Sequence, residues 1–373
     1  MIGPPRLMIT YKGKAMYERL GWGLRLLLIT VIAACSTTTG SDSSVVSNAS
    51  TPHATASAAA VSLAPTLVPI RMAFPSPSIA ALPYWVAKDA GLFTKYGVDV
   101  ELVRIQGSSL ATAAMLAGEV QAVGEGPAAV LANLEGADLV YVASPLNRFA
   151  FAVISQPQIR RPEDLRGERL GVTRFGSGTD FALRYALGKW GLVPDRDVVL
   201  LQTGGVPETL AAIRDGGLAA GVTSDPHTAR ARVLGLNILA DLAELEVDYP
   251  QISLVVRRPY LAEQPEVIDR MVRAISEAIY IIKTDPAITI RVLREQTNIE
   301  DQAVLEDVQA RWRGYFQAKP YPRVEAMQTV LEELASRRPD ARTLNPTTLV
   351  DQRFVRALDE TGFFDALYGS TRP

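Results

Sequence analysis

From Val68 onward the chain alternates short apolar runs with stretches of helical period, breaks once, and then resumes the same alternation. The first series runs strand IRMAF (70–74), helix LPYWVAKDAGLF, strand VDVELVRI (98–105), helix SSLATAAMLAGE, strand VQAVG, helix PAAVLANLEG and strand DLVYVAS. Such a βαβαβ order calls for a mostly parallel sheet flanked by helices. Gly91, Gly118 and Gly136 stand where the helices should end, since glycine takes the left-handed closing position without strain. Residues 149–167 interrupt the series with an extended run, Pro157 and Pro162. A second series follows: strand ERLGVT, helix GTDFALRYALGKWGL, strand DVVLLQ, helix PETLAAIRDGG, strand LAAGVTS and helix HTARARVLG. The apolar run ISLVVRR (252–258) then reads as a return strand. Beyond Gln264 the period is helical, with Val267, Met271, Ile275, Ile279 and Ile282 on one stripe. The expectation is an α/β protein of two lobes joined by two extended crossings, with a hinge near residues 155–157 and 249–253. Loops 75–83, 124–128, 173–179 and 223–227 should surround one cleft, because ligands of open α/β sheets sit beyond the C-terminal strand ends.

The N-terminal part reads differently. Lys12, Lys14, Arg19 and Arg25 precede the apolar run LLLITVIAA (26–34), too short for a membrane-spanning helix but suited to a signal peptide. It ends IAAC, which resembles the bacterial lipoprotein cleavage box, and Cys35 is the only cysteine of the chain. Met16 would give the signal a conventional length. Residues 36–67 are rich in Ser, Thr and Ala without period, a composition expected to form a disordered tether carrying His53. The expected organisation is 1–35 signal peptide, 36–67 tether, 68–155 first part of lobe 1, 156–249 lobe 2, and 250–373 the return to lobe 1 plus C-terminal helices. Cys35 is the expected lipidation site, anchoring the protein to the cell membrane on its periplasmic or exterior side.

Catalytic readings find little support. With 373 residues, 48% hydrophobic and 21% charged, the composition is ordinary, and a net charge of −2 gives no footprint for nucleic acid. Two histidines and one cysteine leave little for metal or thiol chemistry, so no metal and no cofactor are expected. The turn FGSGTD lacks the lysine of a phosphate loop, and Phe181 stands where a dinucleotide fingerprint needs its third glycine. Its other readings are a seat for an anion at a helix N-terminus, through Gly176, Ser177, Gly178 and Thr179, or an ordinary N-cap. The stretch FPSPSIAALPYWVAK offers Ser76, Ser78, Tyr84 and Trp85, either toward a ligand or as loop and core. AVGEGPAAVLA offers Glu125, Gly126 and Pro127, and TSDPHTAR offers Asp225 at a further helix start, where a plain cap is the other reading.

Taken together, these stretches resemble the nitrate/sulfonate/taurine family of ABC-transporter solute-binding proteins. The matching pattern A-x-x-x-G-L-F-x-K-x-G-V-D-V occupies 87–100; G-S-S occupies 107–109, and A-x-L/M-x-x-G-x-V-D/Q runs to Gln121. DLRGERLGV before the glycine/serine turn matches the second lobe. The resemblance implies a type II periplasmic-binding fold that closes on a small solute and docks to a permease with its ATPase, as a monomer. It places ligand contacts on Ser76, Ser78, Tyr84, Gly126, Pro127, Gly176, Ser177, Gly178, Thr179 and Asp225. Glu125 departs from the family's uncharged turn, so Glu125 and Asp225 are expected to hold an ammonium or a ring N–H. The cysteine-rich cluster of pyrimidine-synthesising eukaryotic relatives is absent. The leading ligand is a small organic anion or zwitterion, such as an alkanesulfonate or taurine, or a nitrate-like ion. The alternative is a thiamine-type pyrimidine or riboflavin stacked on Tyr84, Trp85 or Phe175, and an enzyme or sensor on the same scaffold stands behind both.

Overall fold

A computed structural model describes residues 67–369. Cys35, His53, the signal peptide and nearly all of the tether fall outside these residues. In the first series, β1 (Val68–Phe74), β2 (Val98–Arg104), β3 (Ala122–Glu125) and β4 (Leu139–Arg148) alternate with α1 (Leu82–Asp89), α2 (Leu92–Lys95), α3 (Ser108–Leu116) and α4 (Ala128–Leu134). Gly91 splits the stretch read as one helix into α1 and α2. It takes φ of 67°, and Gly118 and Gly136 take 81° and 94°, the left-handed closures expected of them.

The second series holds β5 (Ala152–Ser155), β6 (Arg169–Val172), α5 (Gly178–Lys189), β7 (Val199–Gln202), α6 (Val206–Arg214), β8 (Ala220–Thr223), α7 (His227–Val233) and β9 (Asn237–Asp241). The chain returns through β10 (Asp248–Arg257), then continues as α8 (Arg258–Glu263), α9 (Pro265–Thr284), α10 (Pro286–Thr297), α11 (Gln302–Tyr315), α12 (Val324–Ala335), α13 (Arg353–Glu360) and α14 (Phe363–Tyr368). The five expected stripe residues of α9 are all buried, in the cluster that holds Ile70 and Val98 of the first sheet.

Two five-stranded sheets result, in the orders β2-β1-β3-β10-β4 and β7-β6-β8-β5-β9. They share one plan. Each has a parallel core, β2-β1-β3 or β7-β6-β8, and one antiparallel strand that has crossed from the other series. That strand is β10 in the first sheet and β5 in the second. Ala152–Ser155, assigned by sequence to the first lobe, therefore belongs to the second sheet, paired with β8 and β9. Pro157 and Pro162 follow the crossing rather than make it, and the sheet changes at residues 149–151 on the way out and 242–247 on the way back. Three apolar residues in a row, Ala152 to Ile154, satisfy either sheet, so local pattern gives no boundary here.

The crossings are fastened to each other. The Phe149 and Tyr249 rings stack with centroids 4.1 Å apart, and Phe181 of α5 stacks on Tyr249 at 5.1 Å. Leu242 N–H donates to the Phe151 carbonyl at 2.9 Å, and Ala150 N–H to Gln251 Oε1 at 3.1 Å. Such stacked pairs contribute about 0.5–1.5 kcal/mol beyond area burial. A contiguous aromatic joint thus lies where the chain passes between sheets.

Candidate ligand cleft

Between the strand ends of the two sheets lies a cleft of about 690 Å³, counting the part open to solvent. Its first-sheet wall is the 75–80 loop after β1, Arg104 at the end of β2 and Gln106 beyond it, Gly107 and Ser108 at the start of α3, and Gly126 before α4. Its second-sheet wall is Thr173, Gly178 and Thr179 around the start of α5, Gly205, Val206 and Pro207 at the start of α6, and Ser224 after β8. Phe151, Gln251 and Ile252 close the back, where the crossings run.

Three helices of nine or more residues begin on this cleft, α3, α5 and α6. None has a side chain hydrogen-bonded to its first-turn N–H groups from the N-cap, positions held by Gly107, Ser177 and Gly205. Apart from Gly178 N–H, which donates to Ser108 Oγ at 3.4 Å, their first-turn donors and their dipoles give the space a positive potential. Arg104 supplies a full charge, exposed at the end of β2, and no hydrogen bond or ion pair ties its guanidinium to any described residue. The hydroxyl oxygens of Ser76 and Ser224 are buried without partners. No carboxylate, histidine or cysteine is among the described residues that line the cleft. The lining is completed by Pro75, Pro77, Ala80, Phe151, Val206, Pro207 and Ile252, apolar surface for an organic body.

The expected contacts divide. Ser76, Ser78, Gly126, Gly178 and Thr179 line the cleft. Ser78 also caps the short turn Ile79–Ala81, its Oγ accepting from Ala80 N–H at 3.3 Å. Gly126 lacks a Cβ for a reason, since one would lie 2.7 Å from the Pro250 carbonyl oxygen. Gly176, Ser177 and Pro127 are not on the cleft surface. Gly176, at φ 75°, donates its N–H to Asp180 Oδ2 at 2.9 Å, and the Ser177 hydroxyl donates to the Arg174 carbonyl at 2.7 Å. The Thr179 hydroxyl accepts from Thr173 N–H at 2.9 Å and lies 2.8 Å from the Thr173 hydroxyl. FGSGTD is therefore a self-bonded turn that holds the start of α5 at the cleft.

Tyr84, Glu125 and Asp225 are off the cleft, contrary to expectation. Tyr84 is wholly buried with its ring against Gly124, so close that a Cβ on Gly124 would collide with it. Trp85 is likewise buried, edge-on to Phe74, and Phe175 is exposed beside Arg184. Glu125 is fully buried, Oε1 accepting from Ala129 N–H at 2.8 Å and Oε2 without a partner. Burial pushes its pKa well above the ordinary 4.5, outweighing the backbone donors of Ala129 and Ala128. Burial disfavours its charged form, and off the cleft it cannot pair a ligand ammonium. Asp225 Oδ2 accepts from the Trp312 indole N–H at 3.1 Å and faces the Arg311 guanidinium at 3.5 Å, so its charge is already answered.

The sequence reading missed Arg104, Gln106, Gly107, Ser108 and Gly205 to Pro207 as cleft residues. All follow the sheets' edge strands, β2 and β7, whereas the four loops it chose follow other strands. The signals were present. Each edge strand ends in a glycine-led helix start, and the strand-end rule applies to it equally.

Comparison with known proteins agrees with this architecture. The family model described as NMT1/THI5 like matches residues 78–288. A putative binding protein of Brucella abortus (strain 2308) is 28% identical over 235 residues, covering 59% of this chain and 72% of its own. The taurine-binding periplasmic protein of Escherichia coli (strain K12) is 26% identical over 235 residues, covering 61% and 71%. Among solved structures, the alkanesulfonate-binding protein SsuA from Xanthomonas axonopodis pv. citri, bound to MOPS, superposes with a TM-score of 0.64 at 19% identity, over 76% of this chain and 98% of that one. The motifs at 87–100 and 107–109 and the one that runs to Gln121 all fall inside the matched segment. The chain belongs to the NMT1/THI5-like family and has the periplasmic binding-protein fold.

Proposed function

We propose that this protein is the solute-binding component of an ABC importer, held at the outer face of the cell membrane by lipid on Cys35. It captures a small organic anion between two lobes, one built on each sheet, and hands it to the permease. The lobes meet at residues 149–151 and 242–247, which serve as the hinge. The observation that carries the reading is the cleft lining: among the described residues it holds one uncommitted cation, Arg104, three helix N-termini, and no carboxylate. An anion supplies what those donors lack, and water is a poor substitute in a cleft that closes. The apolar lining favours an anion with a carbon body, an alkanesulfonate over nitrate. An ammonium finds no carboxylate there, which puts taurine below a simple alkanesulfonate. The stacked-heterocycle alternative loses Tyr84 and Trp85 to the core and keeps only Phe151 as an aromatic wall.

Calorimetric titration of the purified protein with hexanesulfonate, taurine, nitrate, a thiamine-type pyrimidine and riboflavin tests this. Tightest binding of hexanesulfonate is expected, and preference for the cationic pyrimidine or for riboflavin would overturn the anion reading. Growth of the native host on labelled palmitate should label the protein, and a Cys35→Ser variant should carry none.

A further inference from the structure

Asp225 stands off the cleft yet makes three contacts that all cross it. It follows β8 of the second sheet directly. Its carbonyl accepts from Ile79 N–H at 3.2 Å, in the loop after β1 of the first sheet. Its Oδ2 accepts from the Trp312 indole at 3.1 Å and faces Arg311 at 3.5 Å. Both belong to α11, and Trp312 is packed with Leu305 and Val308 in the apolar cluster that carries Ile70 and Val98 of the first sheet. Other polar bridges reach across without pairing two charges. Ser108 Oγ accepts from Gly178 N–H at 3.4 Å, Ser109 Oγ donates to the Phe175 carbonyl at 3.0 Å, and Gln106 donates to Glu208 at 3.1 Å, the last two exposed to solvent. Among the described residues, Asp225–Arg311 is the cross-cleft ion pair, its carboxylate side 8% exposed and its guanidinium side 29% exposed.

We propose that Asp225 is a closure latch: its carboxylate, gripped by Trp312 and Arg311, sets how long the two sheets stay shut and does not contact the ligand. Two features make the latch reversible. Asp225 Oδ1 is buried with no partner, so opening returns water to it and offsets part of what is lost. Arg311 also pairs with Asp307 at 2.7 Å, within α11, and keeps that partner when Asp225 leaves. The inference rests on reading the cleft as a site that closes on a solute.

The experiment has one arm without ligand and one with it. In the full chain without ligand, exchange of the Trp312 indole proton with solvent, followed by nuclear magnetic resonance, reports the latch directly. Asp225→Ala and Arg311→Gln should each speed that exchange roughly tenfold, the scale of a charged hydrogen bond. Arg311→Gln keeps Asp225 in place and guards against misfolding of the first variant. In the second arm, hexanesulfonate and taurine dissociation is followed by stopped flow. Both variants should release both ligands faster by the same factor, roughly tenfold, leaving the ratio of the two affinities unchanged. A change in that ratio with Asp225→Ala would make Asp225 a ligand contact and overturn the latch. Unchanged indole exchange in both variants would overturn it too, whether or not any anion binds. Wild-type protein that binds no anion but shows faster indole exchange in the variants would retain the latch and sink the anion reading alone.

Discussion

The first-sheet wall of the cleft presents side chains, whereas the second-sheet wall presents mostly backbone. Arg104, Gln106, Ser76, Ser78 and Ser108 reach the space from the first sheet. From the second come the starts of α5 and α6, with Ser224 and a Thr179 hydroxyl engaged in holding its own turn. The walls also dispose of an acidic residue in opposite ways. The first sinks Glu125 into the sheet, where burial disfavours its charge; the second sets Asp225 against Arg311 across the cleft. The lesson is that a site for an anion is made as much by turning carboxylates away as by aiming donors in. A carboxylate left facing the cleft would repel the ligand and compete for every donor.

Substitutions can break this contrast. Arg104→Ala removes the one charge among the described residues of the first wall and should weaken hexanesulfonate binding by about tenfold, the scale of one charge-assisted hydrogen bond at a partly exposed site. Titration calorimetry at two salt concentrations reads it, and loss of the salt dependence should accompany the loss of affinity. An unaffected affinity would mean that backbone donors alone define the site. Gly124→Ala drives a methyl into the buried Tyr84 ring and should cost about 1–3 kcal/mol of stability by overpacking. Denaturant unfolding measures that, and a neutral result would remove the packing reason for Tyr84 lying off the cleft. Thr179→Ala deletes the acceptor for Thr173 N–H on the second wall. A loss of about 0.5–1.5 kcal/mol in stability is expected, with a several-fold weaker ligand as the start of α5 loosens. A binding loss as large as that of Arg104→Ala would make the hydroxyl a direct contact.

The smallest expected effect is the pH response of Glu125. Its pKa is raised on folding, so the folded chain holds a proton that the unfolded chain releases above about 4.5. Its stabilising share is complete below that pH and declines as pH rises toward the higher folded value. Glu125→Gln removes the titration, and its unfolding free energy should fall less steeply with rising pH than that of the wild type. Parallel pH profiles would show that Glu125 is ionised in the fold after all.

Much of the framework could be read from residues alone, because strand and helix periods are local and glycine closures depend on backbone sterics. Gly91, Gly118 and Gly136, the α9 stripe and the start of α5 all lie where the pattern puts them. The allotment of β5 could not be read, because so short an apolar run pairs equally well in either sheet until the partners are present. The site shows the same division. Ser76, Ser78, Gly126, Gly178 and Thr179 lie on the cleft, at strand-to-helix turns that carry their own signature. Tyr84, Glu125 and Asp225 have that signature as well, yet Gly124, the depth of β3 and the arrival of α11 take them out of the cleft. By itself, then, the sequence determined the elements, the family and the positive character of the helix starts, all consequences of local order. Only the tertiary structure decided which polar side chains meet the cleft. That outcome depends on partners such as Trp312 and Arg311, 87 and 86 residues away from Asp225 along the chain.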